Sequence, residues 1–175
     1  MAFFIQAISL TLFPAVMAFA ASSDFFTMTI ANRVSLILVG GFGLLALLTG
    51  MSFANLMSHA AAAAIVLVVV FIFFSRGWIG GGDAKLAAAT ALWMGFAHLS
   101  DYLIYASIFG GALTLLIVQF RALPLPQAFL GREWAERLHR RGAGVPYGIA
   151  LAAAALCVYP QTEWMAALGH YSAMM

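Results

Sequence analysis

The chain has 175 residues, of which 65% are hydrophobic and 8% charged, with a net charge of +2 and a mean hydropathy of +1.02. A soluble domain carries about 25% charged residues, so there is too little polar surface here to cover a globule in water, and the bilayer must be the solvent for most of the chain. The one cysteine, Cys157, excludes an internal disulfide and a paired-thiol metal site. The small basic excess reads as Lys and Arg kept on one side of a membrane, with membrane lipid as a partner and no nucleic acid.

A spanning helix needs roughly 20 apolar residues. The first apolar run covers 3–21. Ala18-Phe19-Ala20 has the small-residue form of a cleavage site, but a secretory signal starts with a positive segment and nothing before Arg33 is basic. The run is therefore read as the first transmembrane helix. Further runs follow at 34–51, 60–74, 86–98, 102–120 and 146–162. Backbone in lipid must satisfy its own hydrogen bonds, and the alternating pattern of a barrel is absent, so all are read as helices. The expected fold is an all-α polytopic membrane protein, one domain over 1–175, with about six transmembrane helices and short loops. The fourth run is short and is expected to lie partly inside other helices. The alanine runs 60–64 and 152–155 suit close helix packing.

The loops then fall at 22–33, 52–59, 75–85, 99–101 and 121–145. Arg33 lies in the first, Arg76 and Lys85 in the third, and Arg121, Arg132, Arg137, Arg140 and Arg141 in the fifth. All the basic residues thus occupy alternate loops. Six spans with both termini outside satisfy the positive-inside rule. In the fifth loop, beyond Pro124 and Pro126, Leu130, Trp134 and Leu138 recur at helical spacing before Gly142. This predicts an amphipathic helix over 127–141 on the cytoplasmic interface.

The acids decide where chemistry can occur. Glu133 and Glu136 sit among arginines, Glu163 follows the last run, and Asp101 reads as a cap of the fifth helix. Asp24, just after the first run, and Asp83, just before the fourth, remain. The expected topology puts both at the cytoplasmic edge, where an ionisable group is a functional candidate. Two carboxylates brought together do not both ionise easily, so one can act as base on water while the other donates a proton. Each could instead merely cap a helix. Around Asp83 the sequence reads Trp78-Ile79-Gly80-Gly81-Gly82-Asp83-Ala84-Lys85-Leu86. Three glycines beside an acid permit close backbone approach, as an extended peptide needs. Lys85 reads first as a lipid or interface anchor. Scattered His59, His98, His139 and His170 lack ligand spacing and are read as loop or interface residues.

These residues resemble a known family. Gly80 to Leu86 is similar to the GxGD motif of type IV prepilin peptidases. Asp24 with Ile30-Ala31-Asn32-Arg33 resembles that family's first aspartate and its downstream Ile-Pro-Asn element, with Ala31 in place of the proline. Val145-Pro146-Tyr147-Gly148 resembles the start of its final helix. In size the likeness is to short members that process small tight-adherence (Flp) pilins. The resemblance implies an aspartic endopeptidase of the bacterial inner membrane that removes the basic leader of a prepilin or pseudopilin after a glycine, on the cytoplasmic side. It implies Asp24 and Asp83 as the catalytic pair, with Gly80, Gly81, Gly82, Lys85 and Asn32 shaping the site or binding substrate. It implies no metal or cofactor, and a pilus assembly machine as partner. The paired CxxC segment of long members is missing, so methyltransferase activity is not expected.

Other readings carry their own signatures. HExxH is absent, and Gly50-Met51-Ser52-Phe53 lacks the last glycine of a rhomboid-type serine element. A small transporter also uses intramembrane acids and glycine-broken helices, and an inactive scaffold subunit would keep the fold alone. On the reading of Asp101 as a cap, Asp101→Ala retains activity in a leader-cleavage assay, and total loss there would undermine the choice of Asp24 and Asp83.

Overall fold

The computed structural model describes residues 2–165, so His170 lies outside the described residues. Six α-helices follow one another: α1 Ala2–Thr27, α2 Asn32–Leu48, α3 Phe53–Ser75, α4 Gly81–Ala122, α5 Glu133–His139 and α6 Gly148–Val158, with 3-10 turns at Gln127–Phe129 and Tyr159–Gln161. No strand occurs among the described residues. Ala7–Thr27, Phe53–Ser75 and Gly81–Ala122 are long and apolar enough to cross a membrane, while Asn32–Leu48 and Gly148–Gln161 are shorter apolar helices.

Hydrophobicity does not drive helices together when the solvent is lipid, so close approach of small residues takes its place. Ala87, Ala88, Ala89 and Ala91 of α4 are buried, as are Ala150, Ala152, Ala154 and Ala155 of α6. The large side chains at the centre come from four elements. The Phe13 ring of α1 stacks on Tyr159 at 4.4 Å and tilts against Trp93 at 5.0 Å. The polar ends of these rings are satisfied by backbone: Trp93 Nε1 donates to Leu38 O at 2.9 Å and the Tyr159 hydroxyl to Ser9 O at 2.6 Å. Outward-facing Leu36, Leu47, Val68, Phe71 and Leu115 are well exposed, as helices solvated by lipid require.

The expected loop at 99–101 is helical, and the break comes earlier. Gly95 sits at φ 59°, ψ −176° inside α4, a region that only glycine occupies without strain. Residues 83 and 102 would stand about 28 Å apart on a straight helix. Instead the Tyr102 hydroxyl is an electrostatic neighbour of Asp83 and lies beside Thr90. The α4 chain therefore folds back at Gly95. Such a break frees carbonyls that α-helix would have paired. His59 Nδ1 donates to Leu92 O at 2.7 Å, and Trp164 Nε1 donates to Trp93 O at 3.0 Å. His59 Nε2 in turn meets Glu163 Oε1 at 2.8 Å. His59 is thus a buried capping residue of α3, not the loop histidine its scatter in the sequence suggests. A Cβ on Gly95 would lie 2.8 Å from this ring.

Other boundaries also move. Asp24 belongs to the last turn of α1, and Asp83 is the third residue of α4. Asp101 is in the interior of α4 and caps nothing. The amphipathic helix expected over 127–141 shrinks to α5, because Gly131 takes φ 77° and separates it from the 3-10 turn. Ala135 and Leu138 are buried, but Leu130 is exposed. Glu136 accepts from the Gly131 amide at 3.0 Å, a local turn contact instead of an arginine pair.

Gly95→Ala should cost about 1–3 kcal/mol of stability, read as a lower midpoint in thermal unfolding of the detergent-solubilised protein. Gly43→Ala, which meets nothing within 4 Å, should not destabilise.

Candidate active site

The chain reverses direction after α1 over four residues, and this turn shapes the site. Met28 takes φ 52°, and its amide closes on Asp24 O at 2.8 Å. Ser23 Oγ donates to Thr29 O at 2.9 Å, and Thr27 and Thr29 hydroxyls meet at 2.7 Å. These bonds hold Ile30 beneath the start of α4. A Cβ on Gly82 would lie 3.0 Å from Ile30 Cβ and 3.1 Å from Ile30 O, so glycine is what lets α4 approach this backbone. Gly81 faces the Phe74 ring, where a Cβ would stand at 3.2 Å. Gly80 is the residue before the helix, and the Asp83 carboxylate folds back over it. Glycine is costly in mid-helix but cheap in this first turn, which is how the triplet coexists with a helical Asp83.

Asp24 is 4% exposed, and its Oδ2 accepts the Gly148 amide at 2.7 Å. That amide is one of the donors a helix leaves unpaired in its first turn. Asp83 interacts with the amides of Gly80 and Gly148 and with the charge of Asp24. The two acids, 59 residues apart in sequence, therefore converge on the first residue of α6. Each lies at a helix N-terminus, α4 or α6, where the helix dipole favours negative charge. One oxygen, Asp83 Oδ1, is buried with no hydrogen-bond partner. The arrangement can hold a water between a base and a proton donor.

Lys85 and Asn32 also meet near this end, with Lys85 Nζ donating to Asn32 Oδ1 at 2.8 Å. The lysine therefore ties α4 to the start of α2. The residues expected at the site come from α1, the α2 start and the α4 start, and the structure gathers all of them at one end.

Sequence reasoning missed Gly148. Its only signal was Pro146-Tyr147-Gly148, taken as a helix start. A Cβ there would lie 2.6 Å from Ile30 Cδ1 and 2.8 Å from Asp24 Oδ2. Tyr147 was missed as well. Its hydroxyl donates to Ala106 O at 3.2 Å, and its ring fills the space that a Cβ on Gly110 would need. The α5 segment is tied to the same end: Arg137 donates to Phe26 O at 2.9 Å, and Trp134 lies among Phe25, Phe26 and Phe129. Arg121 holds the loop onward, donating to Leu138 O at 2.7 Å and Gly144 O at 2.8 Å.

Two cavities lie elsewhere. An apolar groove of about 730 Å³ between α1 and α2 is lined by Leu12, Val16, Phe19 and Ile37 with Arg33 at one end. A polar one of about 280 Å³ lies at the opposite end around His59, His98 and Glu163. No group of three His, Cys, Asp or Glu among the described residues is arranged to hold a metal ion.

The sequence model of the type IV leader peptidase family matches residues 11–115. The match spans more than half of the chain and includes both Asp24 and Asp83, and the chain belongs to that family. Neither a search of curated proteins nor one of solved structures gave a match.

Replacing Gly148 tests the convergence. Gly148→Ala should lower proteolysis about tenfold or more, the size of one hydrogen bond to a charged group. Gly144→Ala, which meets nothing within 4 Å, should leave it unchanged.

Proposed function

We propose that this leader peptidase is an aspartic endopeptidase that removes the basic leader of prepilin-type precursors, with Asp24 and Asp83 as its catalytic pair. The observation that carries this reading is the meeting of both carboxylates at the Gly148 amide. In the reaction, one carboxylate takes a proton from water as the oxygen adds to the scissile carbonyl. The neighbouring carboxyl gives its proton to the carbonyl oxygen. Collapse of the tetrahedral intermediate then breaks the C–N bond: the leaving amine takes the proton held by the first carboxyl, and the second carboxylate recovers a proton from a hydroxyl of the gem-diol as it becomes the product carboxyl. The pair returns to one proton between two acids.

The site-shaping residues support the same chemistry. Gly80, Gly81 and Gly82 let the start of α4 pack against Phe74 and Ile30 with the Asp83 carboxylate folded over it, which fixes where Asp83 stands. Lys85 and Asn32 fix the neighbouring start of α2. The chain is placed in the bacterial inner membrane with six spans, α4 contributing two by folding at Gly95, and with the acid pair at the cytoplasmic edge. The arginines of the α4–α6 connection then face the cytoplasm, as the positive-inside rule requires. A pilus assembly machine is the proposed setting.

Co-expression with a prepilin-type precursor, read by the gel shift on leader removal, tests this. Wild type should cleave, and Asp24→Asn and Asp83→Asn should each abolish cleavage. Cleavage surviving in either variant would sink the dyad. No cleavage by folded wild type across several precursors would favour the transporter or scaffold readings.

A further inference from the structure

Two buried side-chain atoms among the described residues have no hydrogen-bond partner: Asp83 Oδ1 and the Tyr102 hydroxyl. One is an acceptor and the other a donor. Tyr102 is fully buried, on the arm of α4 that returns after Gly95. The fold-back sets it next to Thr90 and within electrostatic reach of Asp83 and Tyr147. Thr90 is the near side-chain neighbour of the phenol, but the two hydroxyls do not form a hydrogen bond. Thr90 Oγ1 points to Met17 Sδ at 4.0 Å, and the Tyr147 hydroxyl donates to Ala106 O. An unpaired buried hydroxyl costs about 1–3 kcal/mol, and phenylalanine would fill the same space without that cost. A phenol at this position calls for an account, and an acceptor in the same state, Asp83 Oδ1, is among its electrostatic neighbours.

We infer that Tyr102 is a positioning residue for the acid pair, its hydroxyl donating to Asp83 Oδ1 through one water, with or without a peptide bound. The link would fix the carboxyl rotamer so that Oδ2 stays over Gly80 while Oδ1 faces the reacting groups. It would also couple the returning arm of α4 to the chemistry, since the phenol reaches Asp83 only because α4 folds at Gly95. Its catalytic meaning rests on the aspartic protease reading, but the hydrogen bond itself does not.

The test is Tyr102→Phe, which removes one oxygen and keeps the ring. With cleavable precursor, kcat should fall about tenfold with KM unchanged, the size of a hydrogen bond to a charged group. One limb of the pH profile should move to higher pH, because a donor to an ionised carboxylate has been removed. Tyr102→Ala, which opens a cavity, should instead lower the unfolding midpoint as well. A second measurement needs no substrate: an infrared pH titration of the carboxyl C=O band in bilayers, with Asp83→Asn identifying the band. That band should shift in Tyr102→Phe relative to wild type. If wild type cleaves and Asp24→Asn does not, but Tyr102→Phe keeps wild-type kcat and pH profile, the inference is overturned and the protease reading stands. If wild type cleaves nothing, the infrared band decides alone, and an unshifted band overturns the inference.

Discussion

A carboxylate buried away from water must find donors within the protein, because nothing else there can solvate it. For Asp24 that donor is the Gly148 amide, and the same amide reaches toward Asp83. Everything near it is arranged so that this backbone N–H can come close. Gly148 has no side chain to block Asp24, Gly82 has none to block Ile30, and Gly110 has none to block Tyr147. Three glycines from two helices thus serve one contact. The small-residue packing of α4 and α6 holds the helices at the required separation.

Much of this was legible in the sequence. Composition fixed the bilayer as solvent, and the six apolar runs mark all the long helices. The acid pair stood out because charges are so few that each must be explained. The lysine and asparagine near it were singled out too, but not their bond, since Lys85 and Asn32 lie far apart in the chain and only folding makes them neighbours. The missed partner was a backbone amide. Side-chain identity cannot report which N–H will be left unpaired at a helix start, so Gly148 looked like a helix boundary and nothing more.

The break in α4 was misplaced for a different reason. Leu99-Ser100-Asp101 is the polar interruption between two apolar runs, and polarity is the usual mark of a loop. Here the polar residues continue the helix, and the turn falls at Gly95 in apolar surroundings. Glycine in a membrane helix is common enough to carry little warning. What makes this glycine a corner is the set of donors around it, His59 and Trp164, which are distant in sequence. His59 likewise reads as a stray histidine until the carbonyl it caps is seen.

The corner at Gly95 also orders events during synthesis. Its two freed carbonyls draw donors from α3, which is made before α4, and from Trp164, which is made some seventy residues later. As α4 leaves the ribosome, His59 has already been made and can receive it. The second donor arrives only once Trp164 has been made. Until then the bend has one of its two caps, and the returning arm is held by α3 alone. The segment around Trp164 therefore acts as a latch on a helix made long before it.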